Sequence, residues 1–185
     1  MAEMESKGVR PRTVIVSPLR RATETAALAF AAEQATAFVC DHRVAELSNG
    51  VRSDLMTSAA VLRTDFPAVD YEEYEKTVDL EEEHAQNSGQ TLPESKAVLV
   101  SRVTSFLNTL KAMHKNGERV VGVASHSQWL QALCIAGLQF ENMEDGMQWF
   151  GTGEMRCVDV EFLPPSQYTP EVLAPDRKAE LTATI

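Results

Sequence analysis

Two short β-branched runs, each followed by helix-period spacing of apolar residues, organise this chain. Val14, Ile15 and Val16 predict a buried strand over 13–16. Ser17 then stands at an N-cap position and Pro18 at a first helical position, and the spacing predicts a helix over 18–34 with Leu19, Ala22, Ala26 and Phe30 on one face. The second run, Arg119-Val-Val-Gly-Val-Ala124, predicts a strand over 119–124. Ser125-His126-Ser127 follows it, and a helical pattern over 127–136 stops at Gly137. Between the two units, Ala37–Cys40 is a short strand, 41–53 a loop and Met56 to Arg63 a helix. Thr91-Leu-Pro-Glu94 has the form of a capping box, opening a helix that runs to about Asn116 before Gly117. Leu99, Val103, Phe106, Leu110 and Met113 form its apolar stripe, which is a core face. Residues 2–7 resemble the last turn of a helix stopped by Gly8, and 155–162 alternate as a final strand. Strands alternating with helices imply an α/β fold with a largely parallel sheet.

The 185 residues suffice for one core-bearing domain, expected over 1–163, with a loose proline-containing tail over 164–185. The acidic, weakly patterned 65–90 reads as an insertion or solvated helix face, and Glu81-Glu82-Glu83-His84 within it lacks a metal-site spacing. A net charge of −10 excludes a general nucleic-acid or anionic-membrane binder, so positive charge for an anionic ligand must be local. Cys40, Cys134 and Cys157 are odd in number and widely spaced, which reads as buried thiols in a reducing, cytoplasmic compartment. There is no apolar run of membrane-spanning length, and the first residues do not have signal-peptide character.

Arg20 and Arg21 occupy the first turn of a predicted helix, where the dipole disfavours cations. An anion changes the sign of that argument: free backbone N–H groups, the dipole and a guanidinium fork would all converge on it, and phosphate suits them. His126 sits at the second strand-to-helix junction. Ligands of open α/β sheets bind at the carboxyl ends of strands, so the arginine and the histidine can face one ligand. Ser127 adds a helix-start N–H and a hydroxyl, and Glu46 in the loop can act as general acid if its pKa is raised. Each has a plainer reading. The arginines can be surface residues pairing with Glu24, His126 a satisfied structural residue, and Glu46 a surface carboxylate. His42 and His114 read as exposed loop and helix-end residues, and Trp129 and Trp149 as packing. A nucleotide-binding domain is disfavoured, because neither strand is followed by a glycine-rich loop.

Three segments in this order, Val14-Ile-Val-Ser-Pro-Leu-Arg-Arg-Ala-Thr-Glu-Thr-Ala, Val44-Ala-Glu46 and Val120-Val-Gly-Val-Ala-Ser-His-Ser, resemble the histidine phosphatase superfamily in its phosphoglycerate-mutase-like branch. The similarity runs from about Gly8 to Phe162. It implies a three-layer sandwich with helices on both faces of the sheet, and a pocket of two arginines and two histidines around phosphate, with a carboxylate as acid. It also implies a transient phosphohistidine and a small phosphorylated metabolite as substrate, with neither cofactor nor metal. By position, Arg21 corresponds to the second pocket arginine, Glu46 to the proton-donating carboxylate and His126 to the second histidine. Ser127 stands where many members have glycine. The family's Arg-His-Gly strand, whose histidine is the nucleophile, has no counterpart here: the chain has only His42, His84, His114 and His126. The resemblance thus implies an N-terminally incomplete fold with little or no activity. Three situations fit: a truncated gene model or fragment of a longer active enzyme, favoured by the helix-ending character of 2–7, a pseudo-enzyme that still binds a phosphorylated ligand or a protein, or a fold to which a partner lends a strand. Substrate identity, mutase against phosphatase chemistry and oligomeric state stay open.

Overall fold

The computed structural model describes residues 8, 10–30, 37–77, 93–138 and 148–162. Its centre is a four-stranded parallel sheet of β1 (Thr13–Val16), β2 (Ala37–Cys40), β3 (Val69–Asp70) and β4 (Val121–Ala124), in the order β3-β2-β1-β4. β1 is central because its residues are apolar on both sides. Val14 and Val16 point to one face and Ile15 to the other, all fully or nearly fully buried.

Each face is covered by helices. Against Val14 and Val16 pack Ala26 and Phe30 of α1 (Arg20–Ala29), which ends at Phe30, and Ala59 and Leu62 of α2 (Ala59–Asp65). Tyr71 and Tyr74, around the start of α3 (72–77), close that layer, donating their hydroxyls to the carbonyls of Phe66 at 3.2 Å and Thr57 at 2.9 Å. Against Ile15 pack Leu99, Val103 and Phe106 of α4 (Lys96–Lys115) with Trp129 and Ala132 of α5 (Ser127–Ala132), which continues as a π-type turn, Leu133–Gly137. Trp129 meets Phe106 edge to face at 5.1 Å. This is the expected layered α/β architecture, with a parallel sheet between two helical layers.

Several boundaries differ from the sequence reading, each for a physical reason. α1 starts at Arg20 with Leu19 as N-cap in extended conformation, while Ser17 Oγ accepts from the Leu19 N–H one turn ahead of the helix and lies against His126. α4 starts at Lys96, and Ser95 caps it by accepting from the Val98 N–H, while Glu94 turns to Arg102 and so cannot close a capping box. Thr91 lies outside the described residues. α2 begins three residues later than Met56, after Ser58. β4 begins at Val121, and the first part of the acidic 65–90 stretch holds β3 and two core tyrosines, so it is not all solvated. The alternating 155–162 forms no ladder among the described residues: Met155 and Cys157 pack on the Val14 face while Val158 and Val160 stay exposed. Trp149 is exposed and packs nothing away. By contrast the stripes on α1 and α4 and the stop at Gly117 are as expected; Gly117 has φ +93°, and the Glu118 N–H reaches back to the Met113 carbonyl. Residues 2–7, 78–92 and 163–185 lie outside the described residues. Among those described, no helix is long and apolar enough to cross a membrane.

Candidate functional site

Parallel pairing brings the carboxyl ends of β1, β2 and β4 to one edge of the sheet. There the Ser17 N–H donates to the Ala124 carbonyl and the Asp41 N–H to that of Val16, both at 3.0 Å, so the residues just past the strands are held in register. His126 follows β4 in extended conformation and precedes α5. Its Nε2 lies 2.8 Å from Ser17 Oγ. Ser17 is fully buried and tightly bound: its Oγ accepts from the Leu19 N–H at 3.2 Å, and its carbonyl accepts from Thr23 Oγ1 at 2.8 Å. His126 is nearly as buried, at 8 % exposure.

The loop carrying Glu46 is fixed by a network of arginines. Asp41 caps a short 3₁₀ turn, His42–Val44, by accepting from the Arg43 N–H, and the Arg43 guanidinium doubles back onto the same carboxylate and reaches Thr109 of α4. Arg102 of α4 forms a fork–fork pair with Glu94, at 2.7 and 2.6 Å, and donates to the carbonyls of Arg43 and Ala45 at 2.8 and 3.0 Å. Ser125 Oγ donates to the Val44 carbonyl at 2.7 Å, which ties the loop to the end of β4. These bonds deliver Glu46 to the start of α5, where its Oε1 accepts from the N–H groups of Leu47 at 2.9 Å and Trp129 at 3.3 Å. A carboxylate there complements the helix dipole. The Ser127 N–H, one residue into the same helix, has no backbone acceptor among the described residues.

Arg21 is half exposed. Its Nη1 donates to the Ser53 carbonyl at 2.6 Å, and Nη2 stands 3.9 Å from Asp54 Oδ1. Its charge reaches both other candidates. Burial is the main cause that pushes the His126 pKa down to about 4, and the Arg21 guanidinium lowers it further, while Asp54 opposes the shift. Burial likewise raises the Glu46 pKa, opposed by its backbone hydrogen bonds and by Arg21. At neutral pH the imidazole is therefore neutral. Arg20 turns away and pairs with Asp65 at 2.7 Å, not with Glu24.

A crevice of about 370 Å³ opens beside Arg21, bounded by Leu19, Ser53, Leu55 and Thr57, but His126 and Glu46 do not line it. A larger hollow of about 420 Å³ lies between His42, Arg43, Glu73 and Ser101, and His126 does not line it. Sequence reasoning missed three members of this neighbourhood: Ser17 as partner of the imidazole, Asp54 beside Arg21, and Arg102 under the loop. None is adjacent in sequence to the residue it serves, so no local pattern marks it. Among the described residues no group of three or more histidines, cysteines and carboxylates is gathered to hold a metal ion. His84 lies outside the described residues.

No protein with a curated description matches the chain, and no solved structure does. A family comparison does match, over residues 2–156, and its description is Histidine phosphatase superfamily (branch 1). That span covers most of the sequence and contains both strand-to-helix junctions and the Glu46 loop, and the parallel sheet between two helical layers agrees with it. This chain belongs to the histidine phosphatase superfamily.

Proposed function

We propose that the chain binds a small phosphate monoester at the carboxyl edge of its sheet, with Arg21, His126 and Ser127 around the phosphate and Glu46 beside it as an acid. The observation that carries the reading is geometric: the parallel pairing of β1 with β4 sets the residues that follow the two strands side by side, with His126 Nε2 2.8 Å from Ser17 Oγ, four residues before Arg21, and the Glu46 carboxylate on the Trp129 N–H at the start of α5. Family membership supplies the chemical class. A neutral imidazole donates one N–H, the Ser127 N–H is free of backbone partners among the described residues, and the guanidinium supplies local positive charge in a chain of net charge −10. Glu46, with its pKa raised by burial, can hold a proton for a leaving oxygen. Phosphate, arriving as a dianion, would compete with the Arg21 contacts to Ser53 and Asp54.

The same reading assigns little turnover to this chain. Phosphoryl transfer through phosphohistidine needs an unhindered imidazole in line with the leaving oxygen. None of the four histidines lies in an Arg-His-Gly sequence, and His126 Nε2 is already engaged by Ser17. A non-catalytic phospho-ligand binder is the alternative that shares every contact and differs only in biological use.

Calorimetric titration of the 185-residue chain with inorganic phosphate tests the binding. Loss of the guanidinium in Arg21→Ala is expected to weaken it by roughly tenfold to a hundredfold, the range for a charge-assisted hydrogen bond. Equal affinity in the variant overturns the pocket. Hydrolysis of a nitrophenyl phosphate that disappears in His126→Ala overturns the assignment of low activity.

A further inference from the structure

The hydrogen bond between Ser17 and His126 has a direction, and its surroundings fix that direction. A serine hydroxyl has one proton and two lone pairs. Ser17 Oγ already accepts from the Leu19 N–H at 3.2 Å. The side chain is fully buried, so water cannot take its proton. Among the described residues the acceptor within reach is His126 Nε2, at 2.8 Å. If Nε2 carried the ring proton and donated to Oγ, the serine proton would be left without an acceptor in a buried site, which is the costly arrangement. With the serine as donor, every group at this contact is satisfied.

We infer that Ser17 is a positioning residue that holds His126 as the Nδ1–H tautomer, leaving Nδ1 as the ring's only hydrogen-bond donor. Nδ1 has no hydrogen-bond partner among the described residues and is not among their buried, partnerless polar atoms. The imidazole is thus fixed at one nitrogen and offers an N–H at the other. The assignment rests on the phosphate reading only in saying what that N–H is for: it would donate to a phosphate oxygen without having to change tautomer first. Burial acts in the same sense by keeping the ring neutral at physiological pH. The hydroxyl at the fully buried end of the central strand thus has two partners, the Leu19 N–H that donates to it and the imidazole nitrogen to which it donates.

Nitrogen-15 NMR of the full chain separates protonated from bare ring nitrogens. The wild-type His126 ring is expected to show Nδ1 protonated and Nε2 bare at neutral pH. Ser17→Ala is expected to shift the ring toward the Nε2–H form and to weaken inorganic phosphate binding by about tenfold. Ser17→Thr, which keeps the hydroxyl, is expected to preserve the tautomer. A protonated Nε2 in the wild-type chain overturns the inference, and this spectrum decides it even if Ser17→Ala fails to fold. An unchanged tautomer in a folded Ser17→Ala chain overturns it as well. Absence of phosphate binding with the Nδ1–H tautomer in place overturns the phosphate reading and leaves the hold of Ser17 on the ring standing.

Discussion

At the scale of single residues, the buried imidazole of His126 is the group whose energetics are most exposed to measurement. Its folded pKa of about 4 lies below the ordinary histidine value of 6.5, so between those pH values the unfolded chain binds a proton that the folded chain does not. Stability therefore rises with pH through this window and falls as the solution is acidified. At 1.36 kcal/mol per pH unit the single group accounts for about 3 kcal/mol between pH 6.5 and 4. Glu46 works in the opposite sense just above the ordinary carboxylate range, because its raised pKa favours the folded state where the side chain is protonated. Both proteins in a comparison of wild type with His126→Gln contain Glu46, so its effect largely cancels. Urea unfolding across that pH range is expected to show a steeper acid loss in the wild type by about 3 kcal/mol. Parallel profiles would mean that the imidazole is not desolvated.

At the scale of elements, the loop over 41–48 is held by side chains rather than by a ladder. Arg102 is the centre of that hold, since it joins Glu94 to the carbonyls of Arg43 and Ala45 with a side chain only 15 % exposed. Arg102→Met leaves a poorly solvated Glu94 carboxylate and two carbonyls without their donor, at an expected loss of roughly 3 kcal/mol. The double variant Arg102→Met/Glu94→Leu is expected to recover part of it, because no charge is then stranded. Thermodynamic comparison of the two by urea titration checks this. A single variant as stable as wild type contradicts the network.

What the sequence made legible at this scale follows from the range of the forces. The stripes on α1 and α4 and the strands β1 and β2 were readable because burial repeats with the period of the element, as Leu19, Ala22, Ala26 and Phe30 show. Caps were not readable, because Ser17 and Glu94 have side chains that suit a helix start but also meet side chains no local pattern marks: Ser17 lies against His126 across the sheet edge, and Glu94 pairs with Arg102 two turns into α4. β3 was hidden for another reason: two residues are too few to show alternation, and the acidic residues around Tyr71 and Tyr74 mask their burial. The 155–162 stretch shows the reverse error, an alternating pattern without a ladder. Of the candidate site, Arg21, Glu46 and His126 are marked by motif, whereas Asp54 and Arg102 enter only through tertiary packing.

At the scale of the whole molecule, stability is concentrated in the middle of the sheet. β1 is hydrogen-bonded on both sides and buried on both faces, whereas β4 is paired with β1 alone among the described residues and is only half-buried. Amide hydrogen exchange is expected to be slowest at Val14, Ile15 and Val16, slower than at Val121 and Val123. The reverse order would contradict the central placement of β1. That placement matters for the proposed site, because β1 and β4 together bring position 17 beside position 126 and set where α1, with Arg21 in its first turn, begins. The most direct measurement is a crystal of the chain soaked with tungstate, an electron-dense analogue of phosphate. The predicted result is one oxyanion within hydrogen-bond distance of the Arg21 guanidinium, His126 Nδ1 and the Ser127 N–H. Tungstate bound elsewhere on the molecule, with these three groups untouched, would contradict the account.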